Sequence, residues 1–149
     1  NKNDIDGVLI VDSPPEESID LNSSLKKYNK SHIYLASPTT TDQRMRSITQ
    51  MSSGYVYYVT VKGITGSKLT DISTIKKNVA KIKKYSKNNI PVAVGFGIKD
   101  SKSAKQMSKF SDGIIIGSSI VELIHKHSNN KNVMKKNLTS YLSSISRAI

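Results

Sequence analysis

Cysteine and tryptophan are both missing from this sequence, and only 2 of its residues are phenylalanine. The absence of cysteine excludes disulfides and thiolate metal sites, which fits a reducing cytoplasm. No stretch approaches the roughly 18 to 20 apolar residues that a membrane span needs. The first residues, Asn1 to Asp4, contain neither an apolar signal core nor an initiating Met, so we expect a processed or truncated cytoplasmic chain.

Acidic residues are scarce as well. The chain has 23 Lys and Arg against 11 Asp and Glu, a formal net charge of +12. Such an excess can indicate a nucleic-acid partner. Only three of the basic residues are Arg, the lysines are scattered over predicted helices, and no aromatic residues alternate with them as stacking platforms. We therefore expect a solvated lysine-rich surface, with neither nucleic acid nor membrane as a partner.

Five short runs rich in β-branched residues recur along the 149 residues, each followed by a helical pattern. The runs are nearly continuous rather than alternating, which is typical of parallel strands buried on both faces. No linker divides the chain, so we predict one α/β domain over residues 1–149. The predicted strands are Gly7–Asp12, His32–Ala36, Tyr55–Val61, Pro91–Gly95 and Gly113–Ile116.

The segments between these strands predict amphipathic helices. The clearest apolar stripe lies after the third strand, with Asp71 or Ser73 available as its cap. A shorter helix is predicted over Ser101–Phe110, and a long one ends the chain. The predicted buried positions are Ile72, Ile75, Val79 and Ile82 in the first of these helices and Met134, Leu138, Tyr141, Leu142 and Ile145 in the last.

Two architectures compete for this order of elements. Five strands complete an open doubly wound sheet, whereas a closed (β/α)₈ barrel needs about 250 residues, so only part of one fits here. Length alone favours the open sheet, but the loops favour the barrel. In a barrel, Asp12, Val61, Gly95 and Ile116 would mark the C-terminal ends of parallel strands on one rim.

Three of the loops that follow strands are rich in glycine, which lets a ligand approach the backbone closely. They are Lys62–Ser67, Gly95–Ile98 and Gly117–Ser119, and a short helix follows the last of them. Barrels frequently bind phosphate with the loops after strands seven and eight and the N-terminus of a short extra helix. This pattern predicts that Gly97, Gly117 and Ser118 face one phosphate.

In these motifs the sequence resembles the tryptophan synthase α-subunit family. Gly54–Gly66 resembles that family's sixth strand and mobile loop, Val94–Ile98 its seventh strand end, and Asp112–Val121 its eighth strand and phosphate helix. Asp6–Ser18 is similar to strand four and the loop after it. The resemblance implies that the chain is the C-terminal part of a (β/α)₈ TIM barrel, from about strand four to strand eight.

The resemblance also implies an activity and the residues of a site. The family cleaves indole-3-glycerol phosphate to indole and glyceraldehyde 3-phosphate in tryptophan biosynthesis. By this resemblance Gly66, Gly97, Gly117, Ser118 and Phe96 would bind the phosphate. Tyr57 would point toward the indole, and Thr65 would orient a catalytic carboxylate from the closing loop. We expect no cofactor here, because pyridoxal phosphate belongs to the partner β-subunit of an α₂β₂-type complex.

The family's catalytic Glu and Asp lie on the second strand and its loop. This chain would begin near strand four, so we expect no catalytic residue in it and a separate N-terminal barrel half as a partner. Asp12 ends a predicted strand, but we interpret it as a structural or partner-facing residue. Two alternatives stay open: another phosphate-binding barrel, as in histidine or thiamine biosynthesis, or a non-catalytic phosphate-binding remnant.

Other candidate residues do not form sites. His125 and His127 are two positions apart in a helix and so lie on different faces, which excludes a metal pair. Lys62 could suggest Schiff-base chemistry, but an exposed loop lysine is ordinarily just solvated. We therefore predict no metal site.

Overall fold

Strands alternate with helices through most of the described part of the chain, which ends in two consecutive helices. A computed structural model describes residues 5–60, 71–87, 89–95 and 97–149. The strands are β1 (Gly7–Leu9), β2 (Ser31–Ala36), β3 (Val56–Val59), β4 (Val92–Gly95) and β5 (Gly113–Ile115). The helices are α1 (Ile19–Lys27), α2 (Asp42–Met51), α3 (Ile72–Tyr85), α4 (Ser101–Ser108), α5 (Ser118–Lys126) and α6 (Lys131–Ser146), with a single 3₁₀ turn at Pro15–Glu17.

The five strands form one sheet in the order β1-β2-β3-β4-β5, and all four neighbouring pairs are parallel. Right-handed crossovers between strands in sequential order leave every helix on the same face of the sheet. A doubly wound sheet reverses its strand order partway and carries helices on both faces. The order seen here is that of consecutive barrel strands, so the prediction of a partial barrel is confirmed.

Strand register separates an outer face from an inner one. Val56 pairs with Val92 and Tyr58 with Val94, and all four are fully buried against the helices. Between them, Tyr57 pairs with Ala93 on the opposite, inner face, where both are half-buried. The main core therefore lies between the middle strands and helices α2 and α3, joined by Met45, Ile48, Ile75, Val79 and Ile82.

Several predicted elements end earlier in the structure than the sequence indicated. The first strand ends at Leu9 rather than Asp12, because its ladder with β2 stops at the pair Leu9–Ile33. Helix α4 ends at Ser108 rather than Phe110, where the Ser111 hydroxyl and amide both donate to the Met107 carbonyl, at 2.9 and 3.2 Å. Asp71 is the N-cap of α3, but its carboxylate accepts from the Ser73 hydroxyl instead of capping the backbone.

Burial of the helix stripes was predicted correctly for most of α3 but only in part for α6, where Met134, Leu138 and Tyr141 are half-buried. Ile75, Val79 and Ile82 are buried, whereas Ile72, in the first turn of α3, is 39% exposed. In α6 only Ile145 is fully buried, and Leu142 is 46% exposed. Helix α6 packs on α4 and α5 at the end of the strand array, where no further strand is present among the described residues.

Candidate functional site

The glycine-containing turns after β4 and β5 lie at the same end of neighbouring parallel strands. Gly95 ends β4 and pairs with Ile115, the last residue of β5. The Ser119 hydroxyl, in the first turn of α5, lies 3.4 Å from the carbonyl oxygen of Ile98. This contact brings the start of α5 against the turn after β4, so Gly97, Gly117 and Ser118 lie in the same region of the rim.

The N-terminus of α5 offers unoccupied backbone donors in this region. Gly117 is its N-cap, and its carbonyl accepts from the amides of Ile120 and Val121. The Ser118 and Ser119 amides precede the first intrahelical hydrogen bond, and no side chain caps the helix. Gly117 and Ser118 are exposed. Such amides, together with the helix dipole and the Ser118 hydroxyl, are suited to bind an anion.

Nothing within the described chain explains why residue 117 is a glycine. Its φ of −112° is accessible to any residue, and a β-carbon built there has no atom within 4 Å. Neither backbone strain nor packing therefore requires glycine at this position. A β-carbon added there would meet only open space among the described residues.

Gly97 is a different case, because its backbone itself requires glycine. Its φ is +82°, in the left-handed region that other residues adopt only with strain. It too is exposed, and no atom of the described residues lies within 4 Å of an added β-carbon. Gly97 thus combines a backbone conformation that favours glycine with free space around it among the described residues.

Tyr57 lies directly beside this turn on the inner face of the sheet. An ideal β-carbon on Gly95 would lie 2.5 Å from both the hydroxyl oxygen and a ring carbon of Tyr57. Burial, with a smaller contribution from Tyr55, raises the pKa of Tyr57 above its usual value. Tyr57 is therefore a neutral phenol at pH 7 that lies next to Gly95. Its role on the indole side stays a prediction.

Three predicted site residues, Gly66, Thr65 and Phe96, lie outside the described residues, as do Val61 and Lys62. Their roles stay predictions, as does binding of phosphate by Gly97, Gly117 and Ser118.

Asp12 lies in a different part of the same rim. It is exposed and lines a cleft of about 480 Å³ formed by the loops after β1 and β2. Arg44 also lines this cleft, and its guanidinium lies 3.6 Å from the Glu16 carboxylate at the surface. The interpretation of Asp12 as a structural or partner-facing residue stays a prediction. Within the described part of the chain no group of His, Cys, Asp and Glu side chains could hold a metal ion.

Sequence reasoning missed Thr60, which follows β3. Its side chain is buried, and both its hydroxyl and its amide donate to the Gly95 carbonyl, each at 3.1 Å. A threonine at the end of a β-branched run is ordinary strand composition, so nothing in the sequence pointed to this contact. A long-range hydrogen bond of this kind is visible only once β3 and β4 are paired.

Consecutive parallel strands with helices on one face, in the order seen here, define part of a β/α barrel. The family model described as "Tryptophan synthase alpha chain" matches residues 1–149. The chain therefore belongs to the tryptophan synthase α-chain family.

Individual relatives agree with this assignment. The tryptophan synthase α chain of Ruthia magnifica is 41% identical over 145 residues, covering 97% of this chain and 54% of that protein. The crystal structure of the α subunit from Legionella pneumophila superposes with a TM-score of 0.79 and 34% identity, covering 97% of this chain and 52% of that one. A structure of the α₂β₂ complex from Pyrococcus furiosus is similar at a TM-score of 0.77 and 25% identity. The chain spans about half the length of the relatives it matches.

Proposed function

We propose that this chain supplies the phosphate and indole side of a lyase site that cleaves indole-3-glycerol phosphate to indole and glyceraldehyde 3-phosphate. The observation that carries the proposal is Gly117, a glycine that neither backbone conformation nor packing requires, at the uncapped start of α5. A phosphate oxygen held by the Ser118 and Ser119 amides would need the space that a β-carbon on residue 117 would take. Family membership favours this reading over a barrel of histidine or thiamine biosynthesis.

Each part of the substrate has a proposed counterpart on the rim. Gly97, Gly117 and Ser118 bind the phosphate, joined by Gly66 and Phe96. The indole ring packs near Tyr57 on the inner face, within reach of the turn that contains Gly95. Thr65 orients a catalytic carboxylate when its loop closes and excludes water.

The chemical step itself requires groups that this chain is not proposed to supply. Cleavage of the bond between the indole ring and the glycerol side chain needs an acid that protonates the ring carbon and a base that accepts the glycerol hydroxyl proton. We assign both to a Glu and an Asp in an N-terminal barrel half, so residues 1–149 alone are inactive. The chain needs no cofactor of its own, and it acts in the cytoplasm with a pyridoxal-phosphate β-subunit.

The distribution of exposed apolar side chains supports the N-terminal half as a partner. Among the described residues, all but one of the large exposed hydrophobic residues flank the two ends of the strand array. Near β1 they are Ile5, Ile10, Val11, Ile19 and Tyr28, and after β5 they are Val121, Ile124, Val133, Leu142 and Ile149. Open sheet edges invite association, and the remaining three strands of a barrel would cover both ends at once.

Glycerol 3-phosphate binding tests the phosphate side directly. Gly117→Ala should weaken binding by about tenfold or more, because it blocks access to charge-assisted hydrogen bonds worth roughly 1.5 to 3 kcal/mol. Gly113→Ala is the matched control at the opposite end of β5, where an added β-carbon meets that of Ala93 at an ordinary 3.6 Å. Isothermal titration of the three proteins gives the comparison. Equal affinity for the two variants would contradict the proposed site.

A further inference from the structure

The turn that follows β4 is held at both ends by hydroxyl groups from distant parts of the chain. At its start, Thr60 donates from its hydroxyl and its amide to the Gly95 carbonyl, each at 3.1 Å. At its end, the Tyr141 hydroxyl of α6 donates to the Lys99 carbonyl at 3.0 Å. We call Thr60 and Tyr141 the hydroxyl brace.

Such a brace matters because the turn contains Gly97, whose backbone has more conformational freedom than that of any other residue type. A turn with this freedom loses entropy when a ligand fixes it, and this cost lowers affinity. A carbonyl already engaged by a hydroxyl also cannot rotate toward a bound anion, which it would repel. The brace therefore preorganises the turn for an anion without touching it.

The two members of the brace differ in their surroundings. Thr60 is 7% exposed, so its hydroxyl needs a partner within the protein. Tyr141 is half-buried and packs against the small cluster of Ile98, Ala104 and Ile145. Its ring is thus anchored in that cluster while its hydroxyl reaches the turn. Two independent elements, the end of β3 and helix α6, converge on one segment of five residues.

We propose that Thr60 and Tyr141 are positioning residues that hold the turn after β4 in the shape that binds the substrate's phosphate. This inference rests on the proposed function, because it assumes that the turn binds phosphate. It assigns no contact with the substrate to either residue.

The test measures glycerol 3-phosphate affinity by isothermal titration and thermal stability by circular dichroism on the 149-residue chain. Thr60→Val keeps the side-chain shape and removes the hydroxyl, and Tyr141→Phe removes only the hydroxyl. Each should weaken binding by roughly 3- to 10-fold, the equivalent of one net hydrogen bond. Thr60→Ser, which retains the hydroxyl, should bind within about twofold of the unmodified chain.

Matched controls separate positioning from stability. Thr49→Val removes another buried hydroxyl, which donates to the Arg46 carbonyl within α2, and Tyr58→Phe removes one that accepts from the Asn78 side-chain amide of α3. Both should lower the melting temperature and leave phosphate affinity unchanged. If Thr60→Val and Tyr141→Phe bind phosphate as tightly as the controls, the brace has no positioning role. If the unmodified chain itself fails to bind glycerol 3-phosphate, the proposed function fails and the inference falls with it.

Discussion

At the scale of single residues, three glycine positions on this rim differ in whether the structure requires a glycine there, and why. Gly97 is required by its positive φ, Gly95 by a neighbouring side chain, and Gly117 by nothing within the described chain. The sequence alone shows three similar glycines that follow strands. Only Gly117 has no cause among the described residues, and this distinction is visible only in the folded structure.

The contact between Gly95 and Tyr57 yields a prediction about stability. Gly95→Ala should lower the free energy of unfolding by about 1 to 3 kcal/mol, because its β-carbon would overlap the Tyr57 ring. Tyr57→Leu should relieve most of that overlap, so the double variant should be more stable than the two single effects predict when summed. Urea unfolding of the four proteins measures the coupling energy. Additive effects would mean that the ring is not the obstacle.

Thr60 illustrates why part of the site was beyond prediction from sequence. The glycines at 97 and 117 were found because turns and helix starts have recognisable residue preferences. Thr60 acts through a carbonyl 35 positions away along the chain, and no local preference encodes that contact. Hydrogen bonds between strands depend on register, which the sequence leaves unspecified until the strands are paired.

At the scale of elements, Asp112 forms hydrogen bonds that connect α3, β4 and β5 at the N-terminal end of the sheet. From its position just before β5, its carboxylate accepts from the Val92 amide of β4 at 2.9 Å and from the Lys83 ammonium of α3 at 2.8 Å. Burial raises the pKa of this carboxyl, but Lys83 and the Val92 amide outweigh it, so the pKa lies below its usual value. The ionised Asp112 carboxylate therefore stabilises the packing of α3, β4 and β5 against one another.

This lowered pKa predicts how stability depends on pH. The stabilisation is fully present above the unfolded-state pKa of about 3.9 and is lost as pH falls through the lower folded-state value. Asp112→Asn should lower the free energy of unfolding by about 1 kcal/mol at pH 7. The value is small because the ion pair with Lys83 is partly exposed to solvent. The difference between the two proteins should shrink below pH 4. Urea unfolding at pH 7 and pH 3 measures it.

Glu122 of α5 offers a control for this prediction. Its carboxylate is exposed and has no hydrogen bond or ion pair within the described part of the chain. Glu122→Gln should therefore change stability little at either pH. A pH-independent cost for Asp112→Asn would show that the carboxylate's charge does not contribute.

The order and type of the elements were predictable, and their ends were less so. Apolar runs identified all five strands and the stripes of α3 and α6, because burial on the middle strands leaves a strong pattern. The first strand was predicted three residues too long, since Ile10 and Val11 are apolar but lie exposed beyond the ladder. Leu142 was predicted to be buried and is exposed at the end of the array. Both errors fall where the sheet lacks a neighbouring strand.

At the scale of the whole molecule, the chain has a well-buried centre and two open ends. The fully buried apolar residues are concentrated around β3 and β4, whereas the exposed ones lie near β1 and after β5. No helix of the described structure is long and apolar enough to cross a membrane. The exposed apolar residues at the two ends are those that the proposed N-terminal barrel half would cover.

Our central proposal is that this chain carries the phosphate side of the lyase site and that its proton-transfer groups lie in an N-terminal barrel half. The most direct test measures indole release from indole-3-glycerol phosphate by residues 1–149 alone and after addition of an N-terminal barrel half with the family's Glu and Asp. Each missing group is typically worth about 10²- to 10⁴-fold in rate. The account predicts no measurable cleavage by the chain alone and restored cleavage by the mixture. Robust cleavage by residues 1–149 alone would contradict it, and Asp12 would then be the first residue to replace.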